Sequence, residues 1–155
     1  MNDTPLIPGL FMVDDNFLAA EALKSFIPET GLLRWLGWSS NPVAAVPMIV
    51  QLRPDLVLLD VEIPGVDCFA ALRALTAQCP STRVVMFSGH AHAALIDRSL
   101  QEGAAGYIVK DEDPLAIAQL LVNAARGECV LSPTASSVYM RAGRSPACTP
   151  RAHGP

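Results

Sequence analysis

Charge is scarce in this chain. Asp, Glu, Lys and Arg make up only 17% of its 155 residues, against 51% hydrophobic ones. That balance argues against a largely disordered polymer and supplies enough apolar material for one well-filled core. Basic residues are scarcer still, with 11 Lys and Arg against 15 Asp and Glu and a formal charge of −4. A nucleic-acid surface needs a basic patch, so DNA binding by this chain alone is not expected. No run of about 18 apolar residues is free of charge or proline, so no membrane span is expected. The N-terminus has Asp3 and no basic residue ahead of an apolar stretch, which argues against a secretory signal and for a cytoplasmic location. Cys68, Cys79, Cys129 and Cys148 show no C-x-x-C spacing. His90 and His92 are two apart and would point in different directions on a helix. A metal site built on Cys or His is therefore not expected.

What is present is a set of apolar runs that each end in a residue able to handle phosphate. Residues 10–13 lead into Asp14 and Asp15, and residues 56–59 into Asp60. Residues 84–87 end at Ser88, and residues 107–109 at Lys110. Short apolar runs bounded by turn residues read as strands buried on both faces. If such strands run parallel, their polar ends gather at one edge of the sheet, where open α/β sheets bind ligands.

Helical patterns separate the runs. Residues 16–27 carry Phe17, Leu18, Ala22, Leu23, Phe26 and Ile27 at helical spacing, with Asn16 as cap and Pro28 as the expected stop. A weaker strand over 33–38 precedes a helix over 42–52 that begins with Pro42 and contains Pro47, where a kink is expected. Further helices are expected over 67–78, 92–102 and from Pro114 to a stop at Gly127. Five strands alternating with helices predict an α/β fold with a doubly wound five-stranded parallel sheet. The domain is expected over residues 9–131, a short extra helix over 132–142, and a breaker-rich disordered tail over 143–155.

Asp14, Asp15 and Asp60 form an acidic rim. Two carboxylates about 5 Å apart repel by roughly 3 kcal/mol at an effective dielectric near 20, so three of them call for a cation. Mg²⁺ suits a site with few carboxylates and several exchangeable waters. Asp14 and Asp15 also have the simpler role of capping the following helix. Asp60 can attack phosphorus to give an acyl phosphate. Lysine occurs only at positions 24 and 110, which singles out Lys110 as a point charge for a phosphoryl group. Ser88 can donate to a phosphoryl oxygen or cap the next turn.

In this order, Asp14-Asp15, Asp60 with Ile63-Pro64-Gly65, Ser88-Gly89 and Tyr107-x-x-Lys110 resemble the receiver domain of bacterial two-component response regulators. The stretch from Gly103 to Asp111, with Gly127-Glu128 and Leu131-Ser132-Pro133, is similar to the NarL/FixJ branch. The resemblance implies a CheY-like, flavodoxin-like fold with strand order 2-1-3-4-5. It implies that a sensor histidine kinase or phosphotransfer protein phosphorylates Asp60. Asp15, Asp60 and the Glu62 backbone carbonyl would hold Mg²⁺, with Asp14 helping through water. Lys110 and Ser88 would assist catalytically, and Ser88 and Tyr107 would form a switch, the ring moving inward on phosphorylation. The protein would be a phosphoprotein that signals and not an enzyme with a separate substrate. Its outputs would be a downstream protein partner or a phosphorylation-dependent homodimer using the fourth helix, fifth strand and fifth helix.

The sequence departs from that family at two places. Cys68 stands where glycine is usual, and Asp111 replaces the usual proline after the lysine. The branch normally continues into a helix-turn-helix domain, whereas 22 residues follow Pro133 here. The chain therefore reads as a stand-alone receiver or as the receiver fragment of a DNA-binding regulator. A haloacid-dehalogenase-type phosphatase would need an aspartate at position 62 and room for a cap region. A dinucleotide-binding domain would need glycines where Asp14, Asp15 and Asn16 stand.

Overall fold

The computed structural model describes residues 6–145. Strands β1 (Gly9–Val13), β2 (Arg34–Ser39), β3 (Leu56–Asp60), β4 (Arg83–Ser88), β5 (Gly106–Val109) and β6 (Val130–Leu131) alternate with helices α1 (Phe17–Thr30), α2 (Pro42–Leu52), α3 (Cys68–Gln78), α4 (Ala93–Gln101), α5 (Pro114–Ala125) and α6 (Pro133–Arg141). All the strands pair in parallel, in the order β2-β1-β3-β4-β5-β6. The sheet is therefore six-stranded, and the expected five-stranded order 2-1-3-4-5 gains β6 at its edge. Two residues are too short to show a period, so β6 left no strand signal. The chain holds it there with bonds from Val130 N to Ala105 O (3.0 Å) and from Ser132 N to Tyr107 O (3.1 Å). Gly106 makes the approach possible, because a Cβ there would overlap the Val130 carbonyl oxygen.

The central strands are buried on both faces, as parallel strands covered by helices must be. Alternation sends Phe11, Val57, Leu59 and Met86 into the layer with α2, α3 and α4. Leu10, Met12, Leu58 and Ile108 go into the layer with α1 and α5. Cys68, at the usual glycine position, opens α3 with its thiol buried.

Three local expectations are corrected. α1 does not stop at Pro28 but runs to Thr30, where Gly31 in the left-handed region closes it with a bond to the Pro28 carbonyl. Phe17 and Leu18, at helical spacing with the core face, are 56% and 76% exposed. They occupy the first turn of α1, where Phe17 stacks edge-on against Trp38 and not into the core. His90 and His92 are not on a helix. They lie in the segment before α4, and their rings stack with centroids 6.1 Å apart.

α6 packs on α4, β5 and β6. Its Tyr139 hydroxyl donates to Asp97 of α4 (2.9 Å), and Arg144 just beyond it pairs with the same carboxylate (3.3 Å) and bonds the Ala93 carbonyl (3.2 Å). The Ser132 hydroxyl oxygen accepts from Val109 N (3.0 Å). α6 thus lies against part of the α4 and β5 surface expected to make contacts. Of the tail expected to be disordered, residues 146–155 lie outside the described residues.

Candidate functional site

Parallel β1 and β3 run side by side, with Val13 opposite Leu59, so each strand delivers its terminal aspartate to the same edge. Asp14 is fully buried and Asp60 nearly so, while Asp15 faces solvent. Ligand atoms of all three lie within 4.8 Å of one another. Backbone amides hold two of the carboxylates in place, Asn16 N donating to Asp14 Oδ1 and Glu62 N to Asp60 Oδ1, both at 2.8 Å. The Trp38 indole N–H donates to the Asp14 carbonyl (2.7 Å) and braces the same loop from β2.

β5 brings Lys110 to this edge through a bond from its backbone N–H to Ser88 O (2.7 Å). Its ammonium lies 2.8 Å from Asp14 Oδ2 and 3.2 Å from Asp60 Oδ2. Burial raises the Asp60 pKa to about 6; the Glu62 amide and Lys110 oppose the rise, and the Asp14 charge adds to it. Burial alone would pull the Lys110 pKa down, but contact with Asp14 and the two negative charges hold it above its ordinary value. One ammonium cannot neutralise three carboxylates. Asp14 Oδ2, buried, accepts no hydrogen bond of normal geometry and meets Lys110 only as an ion pair. An oxygen-rich donor set with uncompensated negative charge fits a hard divalent cation such as Mg²⁺.

On the other flank the Ser88 hydroxyl donates to the Glu62 side chain, and that bond holds the Glu62 carboxyl below its usual range. His90 Nδ1 lies 3.2 Å from the other Glu62 oxygen, and the His90 amide donates to Ser88 Oγ (3.1 Å). Tyr107 is fully buried, and its hydroxyl donates to the His90 carbonyl (2.7 Å). The ring is therefore on the inside in this structure. Asp14, Asp15, Asp60 and Lys110 meet at one point, with Ser88 and Tyr107 joined to that point through Glu62 and His90. Sequence reasoning missed His90 and the Glu62 side chain. Nothing in the spacing marks them, because both sit on loops after strand ends.

Residues 10–122 match the family model described as response regulator receiver domain. The chain is 32% identical over 139 residues to the nitrate/nitrite response regulator protein NarL of Escherichia coli K12, covering 88% of this chain and 64% of that protein. It is 31% identical over 121 residues to the probable transcriptional regulatory protein NarL of Mycobacterium tuberculosis, covering 78% of this chain and 56% of that protein. The chain thus spans less than two thirds of the length of these relatives. Among solved structures, the signal receiver domain of the putative response regulator NarL from M. tuberculosis matches with a TM-score of 0.75 and 29% identity. That match covers 80% of this chain and all of the solved one. A LuxR-family two-component response regulator from Aurantimonas matches in fold with a TM-score of 0.83 at 21% identity, covering 89% of this chain and 99% of that one. These matches set aside the haloacid-dehalogenase and dinucleotide-binding alternatives.

Proposed function

This chain belongs to the response regulator receiver domain family, and we propose that Asp60 is the residue on which it accepts a phosphoryl group. The observation that carries the assignment is the pairing of Asp60 with Lys110 at 3.2 Å beside a three-carboxylate cluster. A buried carboxylate at the end of the central strand is held by the Glu62 amide, with a cation ready for incoming phosphoryl oxygens. The Asp60 carboxylate forms the new O–P bond as the P–N bond of a phosphohistidine breaks, and the departing imidazole keeps the nitrogen electron pair and takes up a proton. The phosphoryl donor would be a sensor histidine kinase or a phosphotransfer protein.

Asp15, Asp60 and the Glu62 backbone carbonyl would hold Mg²⁺, with Asp14 acting through water. When bound, the ion neutralises negative charge on the phosphoryl oxygens. Lys110 leaves its pairing with Asp60 to follow those oxygens, as a flexible point charge can. Ser88 exchanges its Glu62 acceptor for the phosphoryl group, which brings strong acceptor oxygens and nearly two negative charges. That exchange releases Glu62 and His90, and through the His90 carbonyl it reaches Tyr107 and the start of α4, where His92 is the N-cap. The proposed output is a changed α4–α6 surface read by a downstream protein in the cytoplasm, with no separate substrate turned over.

Intact mass after incubation with acetyl phosphate tests the assignment. One phosphoryl group should be added, only with Mg²⁺ and not in Asp60→Asn. Addition that survives that substitution, or needs no metal, refutes it. A second reading, the receiver portion of a NarL-type regulator, is favoured by the share of those relatives that the chain spans. A helix-turn-helix encoded in frame beyond codon 155 would establish it.

A further inference from the structure

α6 is poorly equipped to be a helix by itself. Its nine residues, PTASSVYMR, include Thr134, Ser136, Ser137, Val138 and Tyr139, all weak helix formers. Even good formers need about 12 residues to hold an isolated helix in water, so α6 is helical only while it is docked. The docking is thin, with Ala135 and Tyr139 its buried residues. Ser132 stands at the N-cap position but makes no capping bond to α6. Its hydroxyl oxygen accepts instead from Val109 N of β5 (3.0 Å), and its own amide donates to Tyr107 O (3.1 Å). At the other end the polar contacts converge on one half-buried carboxylate of α4. The Tyr139 hydroxyl donates to Asp97 Oδ1 (2.9 Å), and the Arg144 guanidinium lies 3.3 Å from Asp97 Oδ2.

We propose that α6 is a strap, docked and helical in the unphosphorylated chain, which a phosphoryl group on Asp60 releases and melts. The inference rests on the reading of Asp60 as the phosphoryl acceptor. α6 bridges two elements that the phosphoryl site affects differently. Its root is bonded to β5, a strand held in the sheet between β4 and β6. Its far end is clasped to α4, whose start adjoins the Ser88, Glu62 and His90 cluster. His92, the N-cap of α4, makes no side-chain capping bond, so little else anchors that end of the helix. When Ser88 turns to the phosphoryl group, Glu62 and His90 lose their shared partner. The start of α4 is then free to shift and carries Asp97 with it. α6 cannot follow α4 while its root stays on β5. Contacts of 2.9 and 3.3 Å leave little slack, because a side-chain hydrogen bond is lost by about 3.6 Å. Asp97 is not stranded by the release, since Gln101 of α4 also donates to it (3.3 Å) and water reaches it. Undocking uncovers the parts of α4 and β5 on which α6 lies, a surface that the resting chain withholds from a partner.

Amide hydrogen exchange of the full chain, read in peptides from α6 and from α5, tests this. Asp97→Ala should speed exchange in α6 about tenfold, the effect of losing hydrogen bonds to one charged group, and leave α5 unchanged. Tyr139→Phe keeps the buried ring and should give a smaller increase in the same peptide. The double variant should exchange no faster than Asp97→Ala, because the tyrosine bond ends on that carboxylate. Beryllofluoride with Mg²⁺, as a phosphoryl mimic, should speed α6 exchange in the parent by at least the same factor and add little in Asp97→Ala. Fluorine NMR reports whether the mimic is bound. Unchanged α6 exchange at confirmed occupancy overturns release by phosphorylation. Parental α6 exchange in both Asp97→Ala and Tyr139→Phe overturns the clasp. A missing bound-fluoride signal would refute the Asp60 reading, and phosphorylation-driven release with it, while the variants decide separately whether Asp97 holds α6.

Discussion

The carboxyl edge of the sheet and the outer face of α2 break the usual rule of burial in opposite ways. At the edge, two carboxylates are buried with a single ammonium between them. On α2, large apolar side chains stand in solvent on a helix that carries no charge of its own. Each arrangement costs stability in the isolated chain, the first through desolvated charge and the second through hydrated hydrocarbon. Under the proposed function the first cost is offset by a cation and a phosphoryl group, whereas the second marks a face that the described residues leave uncovered.

The largest change expected from breaking this contrast follows Lys110→Met in metal-free buffer at pH 7. Removing the one ammonium strands Asp14 and Asp60 as unpaired buried charges, and unfolding in urea should show a loss of about 3 kcal/mol. The loss should shrink when Mg²⁺ is added, since a cation at the same carboxylates replaces part of the missing charge. An equal loss with and without Mg²⁺ would mean that the ion does not bind there.

Asp60→Asn should act in the other direction. Burial first, with the Asp14 charge adding to it, raises the carboxyl from 3.8 to about 6 in the folded protein. The folded state therefore binds a proton more readily than the unfolded chain between those values, and stability falls as pH rises from about 4 to about 6. In metal-free buffer the asparagine variant should be more stable by on the order of 2 kcal/mol at pH 7, with the advantage gone near pH 4. A variant less stable than the parent at pH 7 would contradict the assigned burial cost.

Met48→Gln supplies the smallest effect and sharpens the contrast. A polar atom on the exposed α2 face should change monomer stability by less than about 0.5 kcal/mol, measured at low micromolar protein. A loss of 2 kcal/mol or more would show that the face is packed within the chain.

The edge was legible in the sequence because β-strands make it so. A buried strand is an apolar run, its end is a change of polarity, and parallel pairing brings such ends together. Asp14, Asp60, Ser88 and Lys110 could therefore be placed before any coordinates. What lay off the strands was not legible. Glu62 and His90 sit two residues beyond strand ends, and β6 is two residues long. Phe17 and Leu18 follow the helical period, yet that period does not say where the core ends beneath a helix. On α2 the internal proline is a sequence signal, whereas an absence of charge is not. An all-apolar helix reads as core, and only the packing shows which half of it is uncovered.

The central claim is that Asp60, among three neighbouring aspartates, takes the phosphoryl group. Borohydride reduction of the acyl phosphate, followed by peptide mass spectrometry, converts the modified aspartate to homoserine and locates it. The account predicts homoserine at position 60 alone, in protein treated with acetyl phosphate and Mg²⁺. Homoserine at position 14 or 15, or none anywhere despite a phosphoryl mass on the intact chain, would contradict it.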